Sequence, residues 1–275
     1  MEEIIFNRCG SYLLRDGWSE KAISAIKTEK ADIFKGDAAV YRLGVGSSMV
    51  RSLKYWLRSA RIIDPVTHKL STFGELLYRY DRYLEDPFCW FLIHFFLVTN
   101  KADCPVAYEI FNSNKTVFSK TDIEAYLENR FPIKSQQAAL RKDINIILRS
   151  YSDYDADLNP EENIYCPLSK LKLIEKTKDG SYRRLPPAIS NLSYLLVYYV
   201  LLNCYHGQPF AIDDSFAVAD SPAKIFNLSR QAYLYYLDRL KREGMITVNR
   251  TSGLNTVYFE KEMTLEELFK THFST

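Results

Sequence analysis

The sequence predicts a mainly α protein with small β-hairpins (α+β), in which N-terminal and C-terminal winged helix-turn-helix modules flank a helical middle. Three observations carry this. Apolar residues recur at helical spacing along most of the chain. Residues 88–98 form one unbroken apolar run apart from His94. Residues 43–63 align without a gap on residues 226–246, so that Val50 meets Tyr233, Leu53 meets Tyr236, Leu57 meets Leu240 and Ile63 meets Ile246.

The elements follow in order. After the loop-like Arg15-Asp16-Gly17, Trp18, Ala22, Ile23 and Ile26 mark a first helix. Asp37 is expected to cap a short second helix through Leu43. Gly44-Val45-Gly46 breaks it, and Ser47 or Ser48 caps a third helix running to about Ile62. A polar excursion at 64–71 then leads to a helix over 73–84. Helix, short helix, glycine turn, longer helix and polar loop is the order of a winged helix-turn-helix. Asp86-Pro87 opens the apolar run, followed by helices near 106–111, after Ser119 with Asp122 as a capping-box partner, and after Ser135. The acidic stretch 152–163, with Asp153, Asp155 and Asp157, reads as a boundary loop. Beyond it, a short helix and a hairpin at Asp179-Gly180 precede a long apolar helix from Pro186-Pro187 to Tyr205. The tail repeats the first pattern. Pro222 starts a short helix to Leu228, Ser229 caps a long one to Glu243, and Gly244 stops it. Strands at 245–249 and 256–261 form a wing, and Thr264 with Glu267 caps a last helix. The expected domains are residues 1–84, 85–151 and 164–275.

Composition bounds the function. Of 275 residues 47% are hydrophobic and 14% aromatic, which supports a substantial core and excludes a disordered chain. Lys and Arg number 36 against 34 Asp and Glu, a formal charge of +2. The molecule is therefore no polycation, and nucleic-acid binding requires local clustering of cations. Cys9, Cys89, Cys104, Cys166 and Cys204 lie far apart, at no spacing suited to zinc or a redox pair, and read as reduced thiols of a cytoplasmic protein. A start carrying Glu2 and Glu3 is not expected to be a secretory signal. The run 88–98 is about half a membrane span and is expected to be a core helix, so no membrane partner is implied.

The polar faces of the two aligned helices carry the functional expectation. Arg51, Lys54 and Arg58 stand three and four apart and share one side of the first helix, and Arg61 extends the charge to its end. Ser47 and Ser48 sit where hydroxyls and free backbone N–H groups can hold a phosphate. Such a helix suits a major groove. The second offers Arg230, Arg239, Lys241 and Arg242, with Arg250 in the wing, but Asp238 and Glu243 dilute it. The plainer reading is that cations on an exposed helix are a solvated face, and winged helices also dock proteins.

Several segments resemble a bacterial family of formerly unknown function that is associated with DNA phosphorothioation and includes the DNA-nicking protein of the Ssp-type phage-defence system. They are Arg15-Asp16-Gly17-Trp18, Leu43-Gly44-Val45-Gly46 with Met49-Val50-Arg51, Trp56-Leu57, Phe73-Gly74-Glu75-Leu76, and Tyr83-Leu84-Glu85-Asp86-Pro87 with Trp90 and His94. Cys166-Pro167-Leu168 with Leu173-Ile174 is a weaker match, and Arg82 departs from an expected Pro. The resemblance implies a DNA-directed role in sulfur modification, with DNA, a cysteine desulfurase, an ATP pyrophosphatase-like sulfurtransferase and an ATPase as partners. It does not identify a nuclease site. The alternative is a non-catalytic winged-helix adaptor or transcriptional regulator.

A nickase would need groups that hold a divalent ion or a nucleophile beside a base. The richest acidic cluster is Asp81, Glu85, Asp86 and His94, in which Asp81 and Glu85 stand i,i+4 and would share a helix face. It is the candidate for Mg2+ or Mn2+. The competing reading makes Asp86 an N-cap and His94 a hydrogen-bonded core residue. Gly44-Val45-Gly46 lacks the later Gly and Lys of a phosphate loop and is a tight turn. His68 is expected to be exposed.

Overall fold

The structure is a computed structural model describing residues 6–29, 32–36, 38–131, 133, 135–153, 165–251 and 254–274, with only the backbone described at Arg250, Thr251 and Leu254. It is mainly helical with two small antiparallel sheets, an α+β architecture. The chain divides into two units, residues 1–110 with 115–184, and residues 111–114 with 185–275. The expected cap Asp37 and the acidic loop at Asp155 and Asp157 lie outside the described residues.

The first unit carries α1 (Trp18–Thr28), α2 (Ala38–Leu43), α3 (Ser47–Ser59), α4 (Thr72–Tyr80), α5 (Pro87–Val98), α6 (Pro105–Asn112) as far as Ile110, α7 (Lys120–Glu128) and α8 (Gln137–Ser152). Its sheet has the order β1-β3-β2, from β1 (Val117–Phe118), β2 (Ile174–Lys176) and β3 (Tyr182–Arg184), with Lys176 opposite Tyr182 at the expected hairpin. The apolar run is α5, buried from Phe88 through Val98 and capped by Asp86, whose carboxylate accepts from the Phe88 N–H at 2.9 Å. Its one polar member, His94, is wholly buried with Nδ1 2.8 Å from the Tyr151 hydroxyl of α8. Helix α7 opens with the expected capping box of Ser119 and Asp122.

Three boundaries in this unit differ from expectation. Helix α3 starts behind Gly46, not behind a serine cap, and stops at Ser59. Arg61, expected to continue it, stands beyond the end at φ 57°. Helix α4 stops at Tyr80 because Asp81 leaves the helical region and its carboxylate accepts from the N–H groups of Glu85 and Asp86 at 2.9 and 3.0 Å. The polar excursion after α3 carries one antiparallel bridge, Ile63 with Leu70. Pro65 lacks an N–H for a ladder, and the Asp64 carboxylate takes the N–H groups of Val66 and Thr67 at 3.0 and 2.7 Å.

The second unit carries α9 (Tyr194–Tyr205), α10 (Pro222–Ile225), α11 (Arg230–Arg242) and α12 (Leu265–Phe273). Its sheet has the order β4-β6-β5, from β4 (Phe210–Ala211), β5 (Ile246–Thr251) and β6 (Leu254–Phe259). Helix α9 begins later than Pro186-Pro187 suggested. The chain first makes a turn in which the Asn191 N–H donates to the Ala188 carbonyl at 2.9 Å, and the cap is Ser193, whose hydroxyl accepts from the Leu195 N–H. Helix α10 likewise stops short of Leu228, with Asn227 at φ 49°. The buried Tyr198 ties α9 to the two ends of the β5–β6 hairpin, its hydroxyl bonding the carbonyls of Met245 and Lys261. Helix α12 opens with the expected capping box of Thr264 and Glu267.

Local backbone repeats between the units. Helices α3 and α11 have 13 residues each, and the gap-free alignment superposes their first and last residues. Both end in a Schellman motif. The Ile62 N–H reaches the Leu57 carbonyl at 2.8 Å and the Arg61 N–H that of Arg58 at 2.9 Å; the aligned Met245 reaches Leu240 at 3.0 Å and Gly244 reaches Lys241 at 3.0 Å. Arg61 and Gly244 supply the left-handed residue, at φ 57° and 64°. The stripe Val50, Leu53, Leu57, Ile63 and its counterpart Tyr233, Tyr236, Leu240, Ile246 are all buried.

Gly74 gives a sharp test of this packing. A Cβ there would lie 2.2 Å from the Ile62 carbonyl oxygen, the same carbonyl that accepts from the Ser71 N–H at 3.0 Å. Helix propensity alone makes Gly→Ala favourable by about 1 kcal/mol. The close approach predicts the opposite sign: Gly74→Ala lowers the unfolding free energy by about 2 kcal/mol or more, read from urea midpoints. An unchanged or raised midpoint would show that α4 does not sit this close to the end of α3.

Candidate nucleic-acid interface

Helix α3 owes its two faces to its sequence. Val50, Leu53, Trp56 and Leu57 face the core, and the Trp56 indole N–H donates to the Tyr12 carbonyl at 3.1 Å. No acidic residue lies on the helix. Ser47, Ser48 and Arg51 are exposed at its N-terminal end, with the Arg51 guanidinium 3.3 Å from the Ser48 hydroxyl. Gly46 supplies no side-chain cap, and while the Met49 N–H donates to the Gly46 carbonyl at 2.9 Å, the N–H groups of Ser47 and Ser48 keep capacity for an anion. Lys54 is half-buried, its ammonium 6.0 Å from the Phe34 ring centre.

The strip is not continuous. Arg58 turns to Asp103 at 2.8 Å, and Arg8 reaches the same carboxylate oxygen at 2.6 Å. Two guanidiniums on one carboxylate keep one net positive charge, but Arg58 is held in place by it. Arg61 is exposed beyond the helix, its guanidinium 5.4 Å from the Phe96 ring. His68, expected to be exposed, is mostly covered and bonds Asp32 at 2.8 Å.

Helix α11 is more fully answered. Arg230 pairs with Asp213, and Arg239 pairs with Glu243 at 2.9 Å and lies 4.8 Å from the Tyr194 ring. The Arg242 Nε–H donates to the Asp238 carbonyl at 3.3 Å, while Lys241 is exposed. The Arg250 side chain lies outside the described residues.

The profile of the family described as Protein of unknown function (DUF4007) matches residues 6–273. The chain belongs to this family. A magnesium ion-bound crystal structure of SspB shares its fold, with a TM-score of 0.77 at 20% identity over 92% of this chain and 83% of that chain. A second SspB crystal structure does so with a TM-score of 0.77 at 20% identity over 98% of this chain and 86% of that one. No curated protein matches the chain significantly. The motif resemblance is thus matched at the level of fold.

In this DUF4007 protein the residues read as a possible ion site have other partners. Asp81 holds the turn at Glu85 and Asp86, Asp86 caps α5, and His94 bonds Tyr151 in the core. Among the described residues no group of three or more His, Cys, Asp or Glu is disposed to hold a metal ion. The structure instead brings Asp16 and Asp81 close enough to Glu20 to act on its carboxyl. Burial first, then the charges of Asp16 and Asp81, push the Glu20 carboxyl up to about 7, against a bond from its own backbone N–H and the weaker pull of Lys170. Glu20 Oε2 is buried without a hydrogen-bond partner. Sequence reasoning missed Glu20; its place four residues after Asp16, at the start of α1, was the available signal.

A pocket lined by Cys9, Tyr55, Cys104 and Asp143 is a further feature the sequence did not indicate. Burial raises Cys104 to about 12 and Cys9 further, so neither is a thiolate nucleophile at neutral pH. No helix among the described residues is long and apolar enough to cross a membrane.

Glu20 makes stability depend on pH. Its folded-state pKa lies above the ordinary 4.5, so the native state binds the proton more tightly. The associated stability is fully present below about pH 4.5 and is lost as pH rises through about 7. Partial exposure limits the effect to about 2 kcal/mol. Glu20→Gln should flatten the fall in unfolding free energy between those pH values, measured by urea titration. A variant that keeps the wild-type slope would assign the dependence to other groups.

Proposed function

We propose that this protein is a DNA-binding component of a DNA phosphorothioation and phage-defence system. Residues 1–84 and 164–275 contain its two winged helix-turn-helix modules, and α3 is its principal DNA-contacting helix. The observation that carries the proposal is the solvent face of α3: Ser47, Ser48 and Arg51 exposed at an uncapped helix N-terminus, Lys54 beside them, and no carboxylate along the helix. A helix start offers partial positive charge and free N–H donors, and the cations add counterion release on meeting a polyanion. Ser47, Ser48, Arg51, Lys54 and Arg61 form the primary contact set, with Arg58 contributing charge through its cluster with Arg8 and Asp103. Arg230, Arg239, Arg242 and Arg250 form the second, weaker set. The SspB-like fold supports the system, and the repeated Schellman turn, with the β5–β6 hairpin after α11, supports the module type.

Strand nicking assisted by Mg2+ or Mn2+ belongs to this reading as its enzymatic form. A second reading, a non-catalytic adaptor or regulator that positions partner enzymes, is favoured by one observation: the Asp81 and Asp86 carboxylates are already bonded to backbone N–H groups and His94 is buried. Supercoiled plasmid with Mg2+ or Mn2+, with chelator as control, separates the two. Metal-dependent conversion to open circle supports the nickase; duplex binding without scission supports the adaptor.

The DNA contact itself is tested by Arg51→Glu with Lys54→Glu. Duplex affinity should fall by at least about ten-fold, and the slope of log affinity against log salt should become shallower by about 2. Unchanged affinity and slope would remove α3 from the interface.

A further inference from the structure

We infer that the end of α4 and the adjoining turn of α1 form a separate site for an unpaired stretch of nucleic-acid strand, whose bases stack on tyrosine rings. The segment reads Tyr78-Arg79-Tyr80-Asp81-Arg82-Tyr83, and its side chains build a ladder of alternating cations and rings. The Lys27 ammonium lies 5.8 Å from the Tyr78 ring centre. The Arg82 guanidinium lies 5.0 Å from that ring and 6.0 Å from the Tyr83 ring. Its Nε–H donates to the Ser24 hydroxyl of α1 at 3.3 Å, which fixes the guanidinium between the two rings. Beside it the Arg79 guanidinium lies 5.2 Å from the Tyr80 ring.

The charges favour a polyanion. Arg79 and Arg82 are exposed and enter no ion pair among the described residues. The nearby acids are Glu75, which pairs with Lys27 at 2.7 Å, Asp81, which is turned inward to the N–H groups of Glu85 and Asp86, and, at the start of α1, Asp16 and the half-buried Glu20. Glu85 is the exposed acid at the far end. Charge alone would suit any DNA, and the rings narrow the choice. Tyr83 is 68% exposed, a large apolar face left in water beside a held guanidinium. A duplex buries its base faces in its own stack and offers this ring nothing. An unpaired base presents a face, and stacking on an aromatic side chain contributes roughly five- to a hundred-fold in affinity per base, largely independent of sequence. A ladder already in place loses little side-chain entropy on binding. The inference shares with the proposed function only the polyanion; its residues are not those of the α3 face.

The experiment uses fluorescence anisotropy of a short labelled oligothymidine, an abasic strand of the same length and a duplex, each titrated with the full chain. Tyr83→Ala should weaken oligothymidine binding about ten-fold, Tyr83→Phe should restore it, and duplex affinity should not move. The abasic strand should bind the wild type about as weakly as oligothymidine binds Tyr83→Ala. Because Tyr83 is exposed, an unchanged thermal midpoint checks that the variant is folded. Equal binding of oligothymidine by wild type and Tyr83→Ala overturns the inference, as does equal binding of abasic and normal strands. Stronger displacement by an acidic tyrosine-containing peptide than by oligothymidine overturns it in favour of a protein partner. Loss of duplex binding on Arg51→Glu with Lys54→Glu, with oligothymidine binding intact, leaves this site standing alone. Duplex binding by a wild type that ignores oligothymidine removes this site and leaves the α3 reading in place.

Discussion

The ends of the two 13-residue helices set the geometry on which the rest depends. Each must bury an apolar stripe and then turn the chain sharply toward the next element. The Schellman motif does both, because the left-handed residue reverses the backbone while the next apolar side chain, Ile62 or Met245, follows it inward. The returning amide satisfies the carbonyl of a wholly buried leucine, Leu57 or Leu240, which would otherwise be costly to leave unpaired. Once the stripe and the turn are fixed, the other side of the helix is set as well: on α3 it exposes Ser47, Ser48 and Arg51, while Tyr55 and Arg58 on that side are held by Asp103. Function is then a question of which side chains that face carries.

The two faces carry different charge. On α3 the cations have few answers among the described residues: Arg51 bonds a serine hydroxyl, and Arg58 shares Asp103 with Arg8. On α11 Arg230 and Arg239 each have a carboxylate. Exposed ion pairs of that kind add little stability, but they do lower the charge available to a polyanion. The α11 face also exposes Tyr235. Similar backbone therefore presents two different surfaces, which fits one helix contacting nucleic acid more strongly than the other.

Much of this was legible beforehand. The stripes at Val50, Leu53 and Leu57 and at Tyr233, Tyr236 and Leu240 follow from helical period, and the capping boxes at Ser119 and Thr264 from the acidic residue three positions after each. The misses have local causes. Gly244 announces a helix end, whereas Arg61 adopts the same left-handed turn without a glycine, so the helix was expected to run on. The bridge of Ile63 with Leu70 was not foreseen, in an excursion where Asp64 takes the amides of Val66 and Thr67 in a turn. In the candidate site, which cations would be free was not readable, because the partner of Arg58 stands 45 residues away at Asp103. Glu20 was overlooked for the same reason, its neighbour Asp81 being distant in sequence and close only in the fold.

The central claim is that the N-terminal half of α3 meets DNA. Hydrogen exchange of the full chain, with and without a duplex at low salt, reads this at the backbone. The account predicts added protection across residues 47–54, reversed by raising the salt, with residues 88–98 slow in both states. Protection that falls elsewhere, with exchange at 47–54 unchanged under saturating duplex, would contradict it.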